Sequence, residues 1–136
     1  MKPSLKAGVS MTRRNSIDRD RTIGFMGEDA RVYATPSMIM DIERTCRDLI
    51  MEHVDAGEDS VGIEVSVKHL AATLPGMTVE IAVRVTAVEG RKVTFEVSAK
   101  DELEAISSGT HARFVDTAKT VERLKAKAAR RDALKK

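Results

Sequence analysis

Two titratable side chains sit where the surrounding pattern calls for apolar residues: Glu43 on a helical stripe and His69 on a strand face. A carboxylate and an imidazole withdrawn from water supply acid and base chemistry near neutral pH. Desolvation raises the carboxyl pKa, and a neighbouring imidazolium lowers it again. Burying either group without partners costs stability, so each position calls for a reason.

The helix that carries Glu43 begins at Thr35-Pro36-Ser37, where threonine caps well and proline is tolerated in the first turn. Met38, Ile39, Ile42, Cys46, Leu49, Ile50 and His53 then recur at the three-and-four spacing of one face. At roughly 100° per residue, Glu43 falls between Ile39 and Ile50 on one side and Met40 on the other, pointing inward. Asp41, Arg44, Thr45, Asp48 and Glu52 form the expected polar face, with helix-spaced pairs such as Arg44 and Asp48. The helix is expected to stop near His53, before Asp55-Ala56-Gly57.

His69 ends a run with the other period. From Val61 to Val67 the odd positions are apolar and the even ones small or polar, so His69 extends the inward row. Val79, Ile81, Val83 and Val85 alternate with polar or small residues, as do Val93, Phe95, Val97 and Ala99, and Glu89-Gly90 reads as the hairpin turn between them. A last strand spans about Glu104 to Asp116. Ahead of the helix, Leu5 to Ile17 has weak strand character broken by the polar cluster Thr12 to Ser16. Asp18 to Arg31 reads as a loop, with Gly24 and Gly27 as flexible points and Phe25 and Met26 as lid residues. One long helix followed by four one-faced strands implies an α+β domain whose sheet wraps the helix.

Composition bounds the function. The 136 residues fit one domain with a core over about 5–116 and a basic helical tail over 117–136, whose thin apolar stripe is Val121, Leu124 and Ala128. The apolar fraction of 42% is ordinary, whereas aromatics at 3% with no tryptophan argue against a stacking platform for single-stranded nucleic acid. The net charge is only +2 and the basic excess lies at the ends, so the tail reads as solvated and nucleic acid is not an expected partner. Cys46 is the only cysteine, which excludes an intrachain disulfide and a cysteine-based zinc site. No cofactor or metal is expected. The absence of a membrane-length apolar run or a secretory leader makes the cytoplasm the expected location.

Thr35, then Glu43 eight positions on, then Gly62, then His69 within Val67-Lys68-His69-Leu70-Ala71-Ala72-Thr73-Leu74-Pro75-Gly76, then Ser108-Gly109-Thr110-His111, together resemble the fluoroacetyl-CoA thioesterase-like family of hotdog domains. The resemblance covers roughly Tyr33 to Phe114. It implies a hotdog fold, a homodimer with active sites at the subunit interface, and hydrolysis of an acyl-CoA thioester by Thr35, Glu43 and His69. In that scheme Glu43 attacks or activates water, His69 manages protons, Thr35 donates a hydrogen bond and the Gly62 N–H faces the acyl carbonyl. Gly27 to Tyr33 is acidic where a fluoroacetate-selective lid would supply an aromatic residue, so the expected substrate carries a different, short or medium acyl chain.

Structural readings stand beside these roles. Thr35 caps a helix, Gly62 marks a bulge, His111 is structural or interfacial, and His53 meets terminal carbonyls. The rival functions are a non-catalytic acyl-CoA or small-ligand binding domain and, within the same fold, a hydratase, whose Asp and His motif is not present.

Overall fold

The computed structural model describes residues 1–135. Five strands form one antiparallel sheet: β1 (Ser10–Ser16), β4 (Asp59–His69), β5 (Thr78–Glu89), β6 (Lys92–Lys100) and β7 (Ala105–Asp116), in the order β1-β5-β6-β7-β4. Helix α1 (Thr35–Met51) packs against β1, β5 and β4, strands from both edges of the sheet. The sheet therefore curves around the helix, as the alternating patterns require.

The core is the contact between these two surfaces. Met38, Ile42, Cys46, Leu49 and Ile50 from α1 meet Val79, Ile81, Val83 and Val85 of β5 and Val93, Phe95 and Val97 of β6, all buried. Removing each such aliphatic side chain from water contributes about 1.5–3 kcal/mol, which is why the period-two and period-3.6 patterns dominate the fold. Burial pushes the Cys46 thiol up to about 12, so it is an inert core residue.

Several expectations are corrected. The polar cluster Thr12 to Ser16 continues β1 instead of breaking it, because this strand lies at the sheet edge and its polar side chains alternate outward. The segment from Asp18 to Arg31 is not loop throughout. It holds short 3-10 turns at Arg19–Arg21 and Glu28–Ala30, and β2 (Thr22–Ile23), which pairs with β3 (Val32–Tyr33).

Asp41 and Thr45 are not on a solvated face but buried. The Thr45 hydroxyl donates to the Asp41 carbonyl, while the Asp41 carboxylate accepts from the Tyr33 hydroxyl at 2.5 Å and from Arg21 Nε at 3.0 Å. The segment preceding α1 supplies these partners, so α1 is covered on a side the stripe left open. Asp48 pairs with Arg13 and Arg47 and not with Arg44, and His53 meets the Ser4 hydroxyl at 2.8 Å instead of carbonyls at the helix end. The β5–β6 turn falls at Gly90-Arg91, one residue later than expected.

The inward row of β4 also departs from simple alternation. Its register against β7 shifts between Gly62 and Glu64, a bulge that uses one extra residue. Val61 pairs with Phe114 and Gly62 with Arg113, yet beyond the bulge Val65 pairs with His111 and His69 with Ser107. Ser60, Gly62, Val65, Val67 and His69 thus share the face toward α1, and Val61 does not. Gly109 on β7 is required by close approach, since a Cβ there would lie 2.1 Å from the Ser66 carbonyl oxygen.

Strand β4 is the end of the sheet, and Val61, Ile63 and Val65 are exposed along it. The chain closes with α2 (Lys119–Ala133), the expected tail helix, which has no buried residue. No helix among the described residues is long and apolar enough to cross a membrane.

Candidate active site

The predicted residues gather into two groups, one toward each end of β4. At the first, the Thr35 hydroxyl lies 2.8 Å from His69 Nδ1. Thr35 is not the helix cap. Ala34 holds the cap position without a side-chain hydrogen bond, and Pro36 sits in the first turn, so the threonine hydroxyl is left for the imidazole. Both residues line a cleft of about 620 Å³ with Ile23, Phe25, Val32 and Tyr33.

The Tyr33 ring stands edge-on to His69, their centroids 6.3 Å apart at 82°. Because Tyr33 also donates to buried Asp41, which Arg21 pairs, a network under the cleft fixes the wall against which His69 rests. Burial holds the His69 imidazole below the ordinary histidine range, which favours the neutral, proton-accepting ring. Phe25 is exposed at the cleft mouth, in the loop the sequence marks as a lid.

At the second group, Glu43 faces Gly62. A Cβ built on Gly62 would lie 2.6 Å from Glu43 Oε1, 3.3 Å from His111 Cε1 and 3.5 Å from Arg113 Nη1. Glu43 points toward the sheet as expected, though half-buried and beside the core. Gly62 is thus the opening that admits its carboxylate.

Replacing Gly62 with alanine is expected to displace the Glu43 side chain and lower kcat about ten-fold or more. The fold should survive, because the obstructed atom ends a flexible side chain and the Gly62 φ is not in the left-handed region. Steady-state kinetics beside a melting curve checks this.

Arg113 and His111 complete this group, and of these the sequence reading overlooked Arg113. Its guanidinium is buried and donates to the Ser60 hydroxyl at 2.8 Å, to the Ser60 carbonyl at 2.9 Å and, through Nη1, to His111 Nε2 at 3.3 Å. A carbonyl only accepts, so His111 Nδ1 donates to the Glu64 carbonyl at 2.8 Å and its Nε2 receives the arginine: the ring is neutral, with its proton on Nδ1. It stacks on Phe95. Burial lowers the Arg113 pKa, and Glu43 is the foremost charge that raises it again, so a fixed cation faces the carboxylate. Carrying the alternation of β7 back from buried Val115 puts Arg113 and His111 on the inward face, the signal that was available.

Stability should fall with acid. Burial is the leading cause that lowers the pKa of both His69 and His111, so the unfolded chain binds protons that the folded one refuses once pH drops toward about 6.5, the ordinary histidine value. The melting temperature is expected to decrease from about pH 7 to pH 5, with a shallower slope in His111→Gln than in wild type. Scanning calorimetry across that range checks it.

The two groups do not touch within one chain. His69 is bonded to Thr35, and its Nε2 has no partner. Thr35 and Glu43 are eight residues apart on α1, about 12 Å along the axis, and Gly62 and His69 are about 20 Å apart along β4. A cleft elsewhere, of about 870 Å³ along the stripe of α2, is lined by Leu124, Ala128 and Leu134 with basic residues and contains no acid-base pair.

The chain is similar to known thioesterases in both sequence and fold. Residues 17–119 match the family described as fluoroacetyl-CoA-specific thioesterase. A fluoroacetyl-CoA thioesterase from Streptantibioticus cattleyicolor is 33% identical over 122 residues, spanning 85% of this chain and 88% of that protein. The solved structure of a fluoroacetyl-CoA thioesterase superposes with a TM-score of 0.80 at 30% identity, covering 93% of this chain and 96% of the other. A Thermus thermophilus thioesterase superfamily member superposes with a TM-score of 0.86 at 29% identity, over 98% and 99% of the two chains. The chain therefore belongs to the fluoroacetyl-CoA-specific thioesterase family and is a thioester hydrolase of the hotdog fold.

Proposed function

We propose that the protein hydrolyses a short or medium acyl-CoA to free acid and CoA, as a homodimer whose active sites are each completed across the subunit interface by Thr35, Glu43, His69 and Gly62. The observation that carries this is the placement of the two groups toward opposite ends of an exposed edge strand. Apolar side chains at Val61, Ile63 and Val65 mark β4 as a pairing edge. Antiparallel pairing of β4 with its copy about a two-fold axis near Val65 sets Gly62 and Glu43 of one subunit beside His69 of the partner subunit.

In this site the thioester carbonyl lies between Glu43 and the Thr35–His69 pair. The Glu43 carboxylate attacks the carbonyl carbon or takes a proton from an attacking water. The C–S bond then breaks, and the sulfur leaves as the CoA thiolate and takes up a proton carried by His69. Where Glu43 itself attacked, water then cleaves the resulting mixed anhydride, releasing the acid and restoring the carboxylate. The Thr35 hydroxyl orients the imidazole, and the Gly62 N–H stabilises the developing oxyanion. Label from heavy-oxygen water entering the Glu43 carboxylate in a single turnover distinguishes direct attack from base catalysis.

Relatives bear the name of the fluoroacetyl substrate; here the acidic segment from Gly27 to Tyr33 is the ground for a different acyl group, while Phe25 and Tyr33 both bring aromatic rings to the cleft. Release of free CoA from a panel of acyl-CoAs should give the highest kcat/KM for an unfluorinated short or medium chain. A much higher value for fluoroacetyl-CoA sinks the substrate part of the reading, and release from no thioester sinks the whole of it.

A further inference from the structure

Among the described residues, two buried side-chain polar atoms have no hydrogen-bond partner: His69 Nε2 and Ser107 Oγ. They are neighbours. His69 and Ser107 are directly paired across β4 and β7, so their side chains rise from the same face, the one toward α1. Ser107 is 1% exposed, and its partner on β6 is Ala99, whose methyl group offers the hydroxyl no hydrogen bond.

A buried hydroxyl or imidazole nitrogen without a partner is costly, and a native fold rarely keeps two such atoms side by side. Directly opposed residues have Cβ atoms about 4.5–5.5 Å apart, and the longer histidine side chain carries Nε2 further from the sheet than Oγ. The two atoms do not bond each other, and a single oxygen that reached both would satisfy both at once.

We propose that Ser107 Oγ and His69 Nε2 form a two-point site for a single hydrogen-bonding oxygen, which makes Ser107 a binding residue of the active site. This rests on the reading of His69 as the proton carrier of thioester hydrolysis. The shared chemistry is one oxygen that both accepts and donates or accepts twice: a water poised for the reaction, or an oxygen of the acyl group. Ser107 adds a hydroxyl to the Thr35–His69 pair on the ring nitrogen that Thr35 does not use.

Crystal structures of the full-length protein, alone and with a non-hydrolysable thioether analogue of acetyl-CoA, test this. An oxygen within about 3.2 Å of both atoms is expected. If it is present without the analogue and retained with it, the site holds a water; if the analogue's carbonyl oxygen takes its place, the site reads the acyl group. A direct Ser107–His69 hydrogen bond, or no oxygen reaching both atoms in either crystal, overturns the proposal. In solution Ser107→Ala should lower kcat about ten-fold with KM within about two-fold, and Ser107→Thr, which keeps the hydroxyl, should restore most of it. Wild-type kcat in a folded Ser107→Ala also overturns it. Absence of CoA release by the wild-type protein would defeat the thioesterase reading while leaving the crystallographic result to stand by itself.

Discussion

Glu43→Gln is expected to lower kcat for acyl-CoA hydrolysis by about a hundred-fold or more, with KM changed little and the melting temperature held within a few degrees. The substitution keeps the shape of the side chain facing Gly62 and removes its charge, so the space that glycine leaves stays filled. An amide neither attacks a thioester carbon nor accepts a proton from water at neutral pH, so direct attack and base catalysis predict the same loss. Arg113 makes the control informative. Its buried guanidinium keeps three contacts, to both Ser60 oxygens and to His111, when the carboxylate is gone. Glu43→Gln therefore does not orphan the cation, and lost activity cannot be charged to unfolding. Unchanged CoA release by the folded variant would remove Glu43 from the chemistry and leave a structural carboxylate opposite Arg113.

The elements were legible in the sequence where one physical signal dominates. Val79 to Val85 and Val93 to Ala99 have one face in the core and one in water, so period-two alternation gives both strands and their pairing. Asp41 shows where that reasoning stops. Three-and-four spacing counts apolar residues, and a carboxylate whose partners, Tyr33 and Arg21, come from the preceding segment is buried without announcing itself. Val61 shows a second limit. Its apolar side chain extends the alternation of β4, but the bulge reverses the phase and puts Gly62 on the inward face. An edge strand with exposed valines and isoleucine carries no burial pattern to fix its register.

Thr35 was legible as a residue and not as a role. A threonine before Pro36 has the features of a cap, and only the three-dimensional approach of β4 gives its hydroxyl to His69. The separation of Glu43 from His69 was the least legible feature, because order along a chain does not say whether two inward residues share one site or two halves.

That separation carries the other large expectation, a recovery of activity instead of a loss. Glu43→Gln and His69→Asn are each expected to be nearly inactive alone. Mixed, unfolded together and refolded, they should regain about a quarter of wild-type activity, because random pairing makes about half the dimers mixed and each mixed dimer has one intact site out of two. In the mixed dimer one site combines both substitutions, and the other combines the wild-type Glu43 of one subunit with the wild-type His69 of the partner subunit. A site built within one chain gives the opposite result, since every site then contains one broken residue and no mixture recovers. Adding charge to the edge, as Ile63→Lys on both chains, should abolish the recovery by blocking β4 pairing, with sedimentation reporting monomer. Recovery near a quarter, dependent on an uncharged edge, establishes the shared site; a mixture no more active than its components places Glu43 and His69 of one chain in the same site.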